Sequence, residues 1–470
     1  LQGICLARVG ACPLSCLRTV PPPTAILKPL HARRTRPAPP APAGALASAR
    51  QRALHVSTLR SSSSTPQDRR EGQGLDLITT LSSSTQELLQ LHEYVMFRPQ
   101  VMGSLSLYAA RFAAKDEGHG GTRGKGFRVV RHWLRGQGTI CRDMLGMSPN
   151  TFDALKRNLT EDGGLKGGKD ISAREKLAIF LYVSRVAAST RQAAGVFGHT
   201  PTTIGLAFKA VLRALMKAKV YRRHVYLPPP SAPVPARITD DPGLNPFFKK
   251  VIGAIDGSHV PAHAPAALRE SFWNRKGKTS FNVLAVCDFD MCFTYILSGW
   301  EGSAADSGLW QKALENGLRL PAGKMLLGDS GFPLSPHLLI PYRGVRYHLK
   351  EYSAGTKNPR NAKELYNRRH AGARSVIERI FGVLQARFKI LTTGCHYDLQ
   401  VQADLFPALA VVHNLIRRLD PAADIEPDLV NDDASGAGED PEPHAPPADA
   451  EAAAAARDRI SKKMWKKYKP

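Results

Sequence analysis

Apolar residues recur at helical spacing through the first half of the chain, and residues that can cap a helix precede several of these stretches. A Ser stands three residues before a Glu at 84–87 and again at 172–175, which is the spacing of a capping box. Ser148 followed by Pro149 is typical of a helix start. We therefore predict that residues 84–225 form an all-α region.

Residues 189–215 have the pattern of two helices separated by a glycine turn. A short helix ends before Gly198, and Thr200 followed by Pro201 can begin the next one. Four apolar residues then recur at spacings of four, three and four, which places them on one buried face: Ile204, Phe208, Val211 and Leu215.

This outline, at about 172–215, is that of a helix-turn-helix, whose second helix lies in the major groove of DNA. Thr202, Thr203 and Lys209 are then the side chains predicted to contact DNA. An ordinary helical hairpin explains the same pattern, and such hairpins are commoner than DNA readers. Both interpretations stay open.

The pattern changes to short strands after a proline-rich stretch at 226–247, which is a predicted linker. Helical spacing returns at 375–391. Strands followed by helices predict an α/β domain over 248–419, with a mixed sheet flanked by helices. The predicted strands are 251–255, 282–286, 293–297 and 324–327, with a hairpin turn at 288–290.

Two acidic residues stand where two of these strands end. Asp256 follows the apolar run 251–255, and Asp329 follows the run 324–327 after one glycine. Ligands of open α/β sheets bind at the carboxyl ends of the strands, so both carboxylates are expected at one edge of the sheet. Either acid by itself is also explained as a turn residue beside a glycine.

A third acidic residue, Glu378, lies on the predicted helix 375–391. It is roughly 100° round from Ile377, the centre of the apolar stripe, so it stands at the margin of the buried face. There its carboxylate can reach the sheet edge and remain hydrated. The alternative is a local ion pair with Arg374, one helical turn earlier.

Three converging carboxylates repel one another unless a cation lies among them. Oxygen ligands select hard divalent ions, which favours Mg²⁺, with Mn²⁺ as the alternative. Two such ions, about 3.5–4 Å apart, activate a nucleophile and stabilise the leaving oxygen in attack on a phosphodiester. Arg275, Lys276 and Lys278 are predicted to neutralise backbone phosphates beside that site.

Six further segments are informative in their order along the chain: AIDGSHVP (254–261), NRKGKTSFNVLAVCDFD (274–290), GWEGSAADS (299–307), LLGDSGFPL (326–334), PYR (341–343) and RSVIERIFGVLQARFKIL (374–391). In these segments and in their order, the sequence resembles the PIF/Harbinger transposases, a DDE endonuclease family that includes Harbinger-derived nucleases of animals. The resemblance covers about 250–417, and the helical segment from about 140 resembles the family's helix-turn-helix region.

The resemblance implies an RNase H-like catalytic domain with a catalytic and metal-binding triad at Asp256, Asp329 and Glu378. It also implies divalent metal dependence, a nuclear location, element-end DNA as substrate and a separate Myb-like partner protein; a homo-oligomer is a further expectation. The family usually has a His where Ala305 stands, whereas the next residue, Asp306, is retained as a candidate supporting residue.

His259 and His263 follow Asp256 closely and raise the question of a zinc site. Neither a thiol nor a further His completes a tetrahedral set, so we do not predict one. His259 matches the family motif and is expected to support the Asp256 loop by hydrogen bonding.

The charge of the chain favours a polyanionic partner. Lys and Arg number 65 against 40 Asp and Glu, a net charge of +25. Residues 420–451 contain eleven acids and no Lys or Arg, so the remainder is more basic still. Nucleic acid is the simplest such partner, and a basic protein selected for solubility is the alternative.

Both ends of the chain are predicted to be disordered. Residues 1–75 form a basic, Pro/Ser-rich leader, whose composition also suits an organelle transit peptide. Residues 420–470 form an acidic tail with a basic end, in which the lysines at 462–469 are either a nuclear import signal or a solvated terminus. Scattered cysteines indicate a reducing compartment, and no apolar run is long enough to predict a membrane span.

The leading hypothesis is a metal-dependent DNA endonuclease of transposase type, which cuts phosphodiesters and can join the freed 3′-hydroxyl to target DNA. The first rival is a catalytically silent DNA-binding protein kept for its helix-turn-helix. A third hypothesis is an RNA-directed hydrolase with the same metal chemistry.

Overall fold

The computed structural model describes residues 124–136, 139–274, 276–304, 306–346, 358–420 and 447–468. The predicted helix start at 84–87 and the predicted leader at 1–75 lie outside the described residues. The helices that precede the sheet are α1 (Lys125–Arg135), α2 (Ile140–Leu145), α3 (Pro149–Glu161), α4 (Ala173–Val186), α5 (Thr190–Phe197), α6 (Pro201–Leu215), α7 (Ala218–His224) and α8 (Ala236–Thr239).

Among the described residues, the second part of the fold contains five strands, with one α-helix between the third and fourth strands and four α-helices after the fifth. Its elements are β1 (Val251–Pro261), β2 (Ser280–Cys287), β3 (Phe293–Glu301), α9 (Asp306–Glu315), β4 (Met325–Leu327), β5 (Leu338–Leu339), α10 (Ala362–Arg387), α11 (Ile390–Thr393), α12 (Leu399–Leu419) and α13 (Pro447–Lys467).

The predicted helix caps are present. The Ser148 hydroxyl accepts a hydrogen bond from the Thr151 amide at 3.4 Å, and the Ser172 hydroxyl accepts one from the Glu175 amide at 3.1 Å. The Glu175 side chain does not complete a capping box, because it pairs with His199 at 2.7 Å. Each serine thus satisfies one of the amides that a helix start leaves open.

Helices α5 and α6 have the predicted bounds of a two-helix unit. Gly198 ends α5 in the left-handed conformation, with φ 72°, and Thr200 caps α6. The four residues predicted to share a buried face are fully buried: Ile204, Phe208, Val211 and Leu215. Whether this unit reads DNA stays a prediction, since a packed helical hairpin has the same core.

The sheet is mixed and has five strands in the order β3-β2-β1-β4-β5. β1 pairs with β2 and β2 with β3 in antiparallel directions, whereas β1 with β4 and β4 with β5 run parallel. Helices flank it: α10 packs against β1, and α12 packs against β3. The predicted α/β architecture with a mixed sheet is therefore confirmed.

The prediction that β1 ends before Asp256 is wrong. β1 continues to Pro261 because its antiparallel pairing with β2 extends that far, with Asp256 opposite Ala285. Its parallel pairing with β4 reaches only to Ala254, opposite Leu327. Asp256 therefore lies inside a strand, just beyond the point where that strand loses its parallel neighbour.

The helical region and the sheet share one hydrophobic core. Arg185, near the end of α4, donates to the carbonyls of Ala386 and Arg387 at 2.9 and 2.8 Å, where α10 ends. Phe293 of β3 packs against the rings of Phe381 and Phe406, from α10 and α12. Helix α10 is thus held from both sides, which fixes the helix that carries Glu378.

Among the described helices, α12 is long and apolar enough to cross a membrane, with a mean hydropathy of 1.2. However, 78% of that apolar window is buried inside the protein. Its apolar faces contact β3, α6 and α3, so α12 is the central helix of the described core.

The predicted disorder of 420–470 is wrong for Pro447–Lys467, which forms helix α13. This helix packs against α10 and buries Ala453, Ser461 and Met464. An alanine-rich run next to charged residues has the composition of a low-complexity tail, whereas the stability of this helix comes from a few buried positions. Residues 421–446 lie outside the described part of the chain.

We expect Gly253→Ala to destabilise the protein by about 3 kcal/mol, because an added methyl group would overpack the sheet. A Cβ at Gly253 would lie 1.9 Å from the carbonyl oxygen of Cys287, which is backbone and cannot move aside cheaply. Urea unfolding of the full chain measures the change.

Gly205→Ala in α6 is the matched control. Among the described residues, no heavy atom outside the helix's own backbone lies within 4 Å of a Cβ at Gly205. This variant should gain about 0.5–1 kcal/mol, since alanine favours helix interiors over glycine. Equal stabilities for the two variants would contradict the strand packing described here.

Candidate active site

Strands β1 and β4 bring Asp256 and Asp329 to the same edge of the sheet. Ala254 pairs with Leu327, and each aspartate stands two residues beyond its member of that pair. Since strand side chains alternate between faces, Asp256 is on the same face as Ala254. Both aspartates are half-buried.

Each aspartate also accepts a short-range backbone hydrogen bond. The Asp256 carboxylate accepts from the Gly257 amide at 3.0 Å, and the Asp329 carboxylate accepts from the Gly331 amide at 2.9 Å. For Asp329 this is the predicted turn role beside a glycine. The two oxygens of a carboxylate can accept several hydrogen bonds, so this one bond leaves the carboxylate able to bind other groups as well.

The Arg374 side chain binds both Asp256 and Glu378. Its guanidinium donates to Oδ2 of Asp256 at 2.9 Å and to Oε1 of Glu378 at 2.5 Å. The Arg374 side chain is 6% exposed, whereas the Glu378 side chain is 56% exposed. The predicted local pair of Glu378 with Arg374 is therefore present, and the same guanidinium extends it to a residue 118 positions away on β1.

The pKa of Asp256 reflects its burial and the charges of Arg374, Asp329 and Glu378. Burial is the largest influence and raises the pKa of Asp256 to about 6, although the Arg374 guanidinium opposes it. The negative charges of Asp329 and Glu378 raise this pKa further. The two negative charges thus oppose ionisation of Asp256, whereas the guanidinium favours it.

The residues at this site suit a hard divalent cation. The carboxylates supply oxygen donors, the donor type that Mg²⁺ and Mn²⁺ prefer, and their mutual repulsion calls for positive charge. No group of three His, Cys, Asp or Glu side chains among the described residues is drawn together closely enough to hold a metal ion. The positive charge between Asp256 and Glu378 is instead the guanidinium of Arg374.

The candidate supporting residues lie around this site in different ways. His259 is exposed on β1 and shares a 3.1 Å hydrogen bond with the Ser280 hydroxyl of β2. The expectation that it supports an Asp256 loop is wrong in form, because β1 continues through both residues without a loop. Asp306 begins α9, and Ala305 lies outside the described residues.

The predicted phosphate-binding lysines are exposed but stand apart from Asp256. Lys276 and Lys278 lie in a turn whose amides bond to the Asn274 side chain at 3.0 and 3.1 Å. This turn precedes β2, whose first residue is five positions from the partner of Asp256, or roughly 17 Å along the strand. Arg275 lies outside the described residues.

Of the predicted DNA-contacting residues on α6, Thr202 is exposed and Thr203 is half-buried. Lys209 donates to the carboxylate of Asp398 at 2.7 Å, because α6 packs against the start of α12, where Asp398 caps the helix. Its contact with DNA stays a prediction, in which a phosphate would replace Asp398 as its partner.

Arg374 is the residue that sequence reasoning undervalued. Its spacing from Glu378 indicated a local pair only, and nothing local points to Asp256. A signal was nevertheless available, because an arginine next to a buried helical stripe must be paired when it is desolvated. The structure buries Arg374 and gives it two carboxylates.

Comparison with known families bears directly on the segment that contains this site. Residues 255–414 match the model of the family described as DDE superfamily endonuclease. These residues carry a DDE superfamily endonuclease domain. It includes Asp256, Asp329 and Glu378, and the predicted resemblance to the Harbinger-derived group is confirmed. Residues 123–217 match a family described only as a domain of unknown function.

The endonuclease domain is also similar to individual proteins. HARBI1 of Rattus norvegicus, a protein named as a nuclease, is 34% identical over 173 residues, which are 35% of this chain and 45% of that protein. HARBI1 of Homo sapiens is 32% identical over 173 residues, with the same shares of 35% and 45%. The ALP1-like protein of Arabidopsis thaliana is 31% identical over 158 residues, 30% of this chain and 36% of that protein.

The chain thus spans less than half the length of these curated relatives. No solved structure matches it. The similarity therefore identifies an endonuclease domain within this chain and does not extend to the full length of the relatives.

Removing the guanidinium tests the electrostatics of the endonuclease domain in metal-free buffer. In Arg374→Met, Asp256 stays buried beside two acids without its counter-charge, so its pKa should rise above about 6. An unfolded Asp has a pKa near 3.9 and releases its proton first as the pH rises. The free energy of unfolding should therefore fall from pH 4 to pH 7.5 more steeply than in the wild type, by up to about 2 kcal/mol, because each unit of pKa shift within this range contributes about 1.4 kcal/mol.

Arg379→Met is the control, because Arg379 is an exposed arginine on the same helix. Its removal should change stability by less than about 0.5 kcal/mol at any pH in this range. Parallel pH profiles for the wild type and Arg374→Met would show that the guanidinium does not compensate Asp256.

Proposed function

We propose that this protein is a metal-dependent DNA endonuclease of the PIF/Harbinger transposase type, with an RNase H-like catalytic domain over 248–419. One observation carries the proposal. Asp256 and Glu378 share the guanidinium of Arg374, Asp329 follows the parallel strand beside β1, and all three fall within the matched endonuclease segment.

Asp256, Asp329 and Glu378 are the proposed metal ligands and catalytic residues. Mg²⁺, or Mn²⁺ in its place, supplies Lewis-acid polarisation of a phosphodiester and a nucleophile at neutral pH when bound. Asp256 lies within β1 and Asp329 follows β4 by two residues, so these two acids form the more fixed part of the proposed site. Glu378 is mostly exposed, so its side chain can turn to the same centre without disturbing the core.

Arg374 fits this role as a resident counter-charge. Its guanidinium is buried against Asp256, which keeps that carboxylate ionised at neutral pH despite burial. An ionised carboxylate is what a metal ligand must be. Arg374 thereby keeps the site ready for a cation, and it needs only to release its contacts with carboxylate oxygens when the cation binds.

The substrate we propose is DNA at the ends of a mobile element. Support comes from the net charge of +25 and from the endonuclease family of the domain. The proposed setting is the nucleus, with an organelle as the alternative that the leader composition leaves open. A Myb-like accessory protein and self-association are further parts of the proposal.

The helices at 172–215 are proposed to contribute DNA binding through Thr202 and neighbouring exposed positions of α6. Exposure of Thr202 supports this assignment, and Lys209 would contribute by exchanging its ion pair with Asp398 for a phosphate. Exposed Lys276 and Lys278 suit contacts with phosphates farther along the duplex.

A catalytically silent DNA-binding protein is the second candidate function. The observation that favours it is the guanidinium between Asp256 and Glu378, since a cation held there competes with metal. An intact set of three acids argues against it, because DNA binding alone has no use for them. The same chemistry on RNA is a third candidate, which competition between DNA and RNA duplexes separates.

Cleavage of supercoiled plasmid by the full chain in Mg²⁺ or Mn²⁺ tests the proposal. Asp329→Asn should lower nicking at least about 100-fold, because an amide loses the charge that holds a divalent cation. Asp290→Asn is the matched control, since Asp290 is exposed in the turn between β2 and β3 and should nick at the wild-type rate.

Three outcomes are informative. Loss of nicking in Asp329→Asn with unchanged unfolding temperature supports the assignment. Equal nicking by Asp329→Asn and the wild type would refute it. Metal-independent DNA binding by a wild-type protein that never nicks would favour the silent DNA-binding protein.

A further inference from the structure

We infer that the exposed face of helix α13 is a DNA phosphate-binding surface of the proposed endonuclease. The inference rests on the proposed function, because it takes DNA as the substrate. It concerns the basic end of the chain, which the sequence left as either an import signal or a solvated terminus.

Five of the cations of α13 lie on one side of the helix. At about 100° per residue the five of them fall within an arc of roughly 140°. All five side chains are exposed, and no acid lies between them along the chain. The basic face of α13 consists of Arg459, Lys462, Lys463, Lys466 and Lys467.

The other side of α13 is docked on the protein. Met464 is fully buried, and the Tyr342 hydroxyl donates to the Asp458 carboxylate at 2.7 Å. The Arg457 guanidinium lies over the ring of Tyr342, 4.1 Å from its centroid, and donates to the Pro341 carbonyl at 3.2 Å. These contacts fix which side of the helix faces outwards, so the basic face is presented in one orientation.

Docking places this face beside the helix that carries the candidate site. Lys467 and Arg369 lie over the same Phe247 ring, 5.8 and 5.6 Å from its centroid. Arg369 precedes Glu378 by nine residues on α10, which is about 13.5 Å along the helix axis and, at about 100° per residue, half a turn round it. The basic end of α13 therefore docks beside α10 on the side that faces away from Glu378.

Duplex DNA is the occupant that this placement suits. It carries about one negative charge per 1.7 Å of axis, so a basic face along one helix can meet several phosphates at once. Five cations in one fixed orientation can meet those phosphates without the ordering cost that a flexible tail would incur. The docked helix thus adds a phosphate-binding surface for duplex DNA on the side of α10 away from Glu378.

DNA binding by the full chain in chelating buffer tests the inference. We compare Lys462→Gln with Lys463→Gln, Lys466→Gln with Lys467→Gln, and all four together; Gln keeps helix propensity close to that of Lys. The slope of log affinity against log salt should decrease in magnitude by about 0.9 for each phosphate that the protein no longer neutralises, hence by about 2–4 in the fourfold variant.

Two controls separate charge from structure. Lys166→Gln with Lys169→Gln removes two exposed charges from the loop before α4 and should leave the salt slope unchanged. Replacing the four lysines of α13 by arginine keeps the charge and should retain wild-type binding. An unchanged slope in the fourfold Gln variant would overturn the inference, and loss of nuclear accumulation with unchanged DNA binding would assign the cluster as an import signal instead.

Failure of the inference and failure of the proposed function give different results. A wild-type protein that nicks DNA while the fourfold variant binds normally contradicts only the α13 surface. A wild-type protein that never nicks, but whose salt slope depends on these lysines, contradicts only the nuclease.

Discussion

The buried guanidinium of Arg374 is the interaction on which the candidate site depends. It binds Asp256 of β1 and Glu378 of α10, so it ties the sheet to the helix that carries the third acid. Burial raises the pKa of Asp256 to about 6 even though the Arg374 guanidinium lowers it, so without this counter-charge the group would stay neutral to a higher pH. One side chain thus reconciles burial with ionisation, which a carboxylate needs before it can bind metal.

The surrounding fold determines where these few groups lie. Parallel pairing of β1 with β4 brings Asp256 beside Asp329, and it stops just before them, which opens the edge. Packing of α10 against β1 and its anchoring by Arg185 fix where Glu378 emerges. Helix α13 covers another side of α10 and adds a basic face to it. The sheet, α10 and α13 therefore pack together, with the candidate acids at the sheet edge and a basic face on the outer side of α13.

Local patterns in the sequence predicted the helix caps and turns, whereas features that depend on contacts between distant parts of the chain could not be predicted from them. The caps at Ser148 and Ser172 and the Gly198 turn are local, and they are present as predicted. The continuation of β1 through Asp256 depends on its partner β2, and the pair of Arg374 with Asp256 joins distant parts of the chain. Neither has a local signal. Helix α13 was missed for the same reason, because an alanine-rich stretch becomes a helix here by docking through Met464 and Tyr342.

The most direct test of the central claim is the position of bound Mn²⁺ in a crystal of the full chain, located by its anomalous scattering. The account predicts a peak between the carboxylates of Asp256 and Asp329, at about 2.0–2.3 Å from an oxygen of each, with Glu378 turned towards it and the Arg374 guanidinium withdrawn from at least one carboxylate. Saturating Mn²⁺ that leaves this region without a peak, and the Arg374 contacts unchanged, would contradict the claim that these three acids form one metal site.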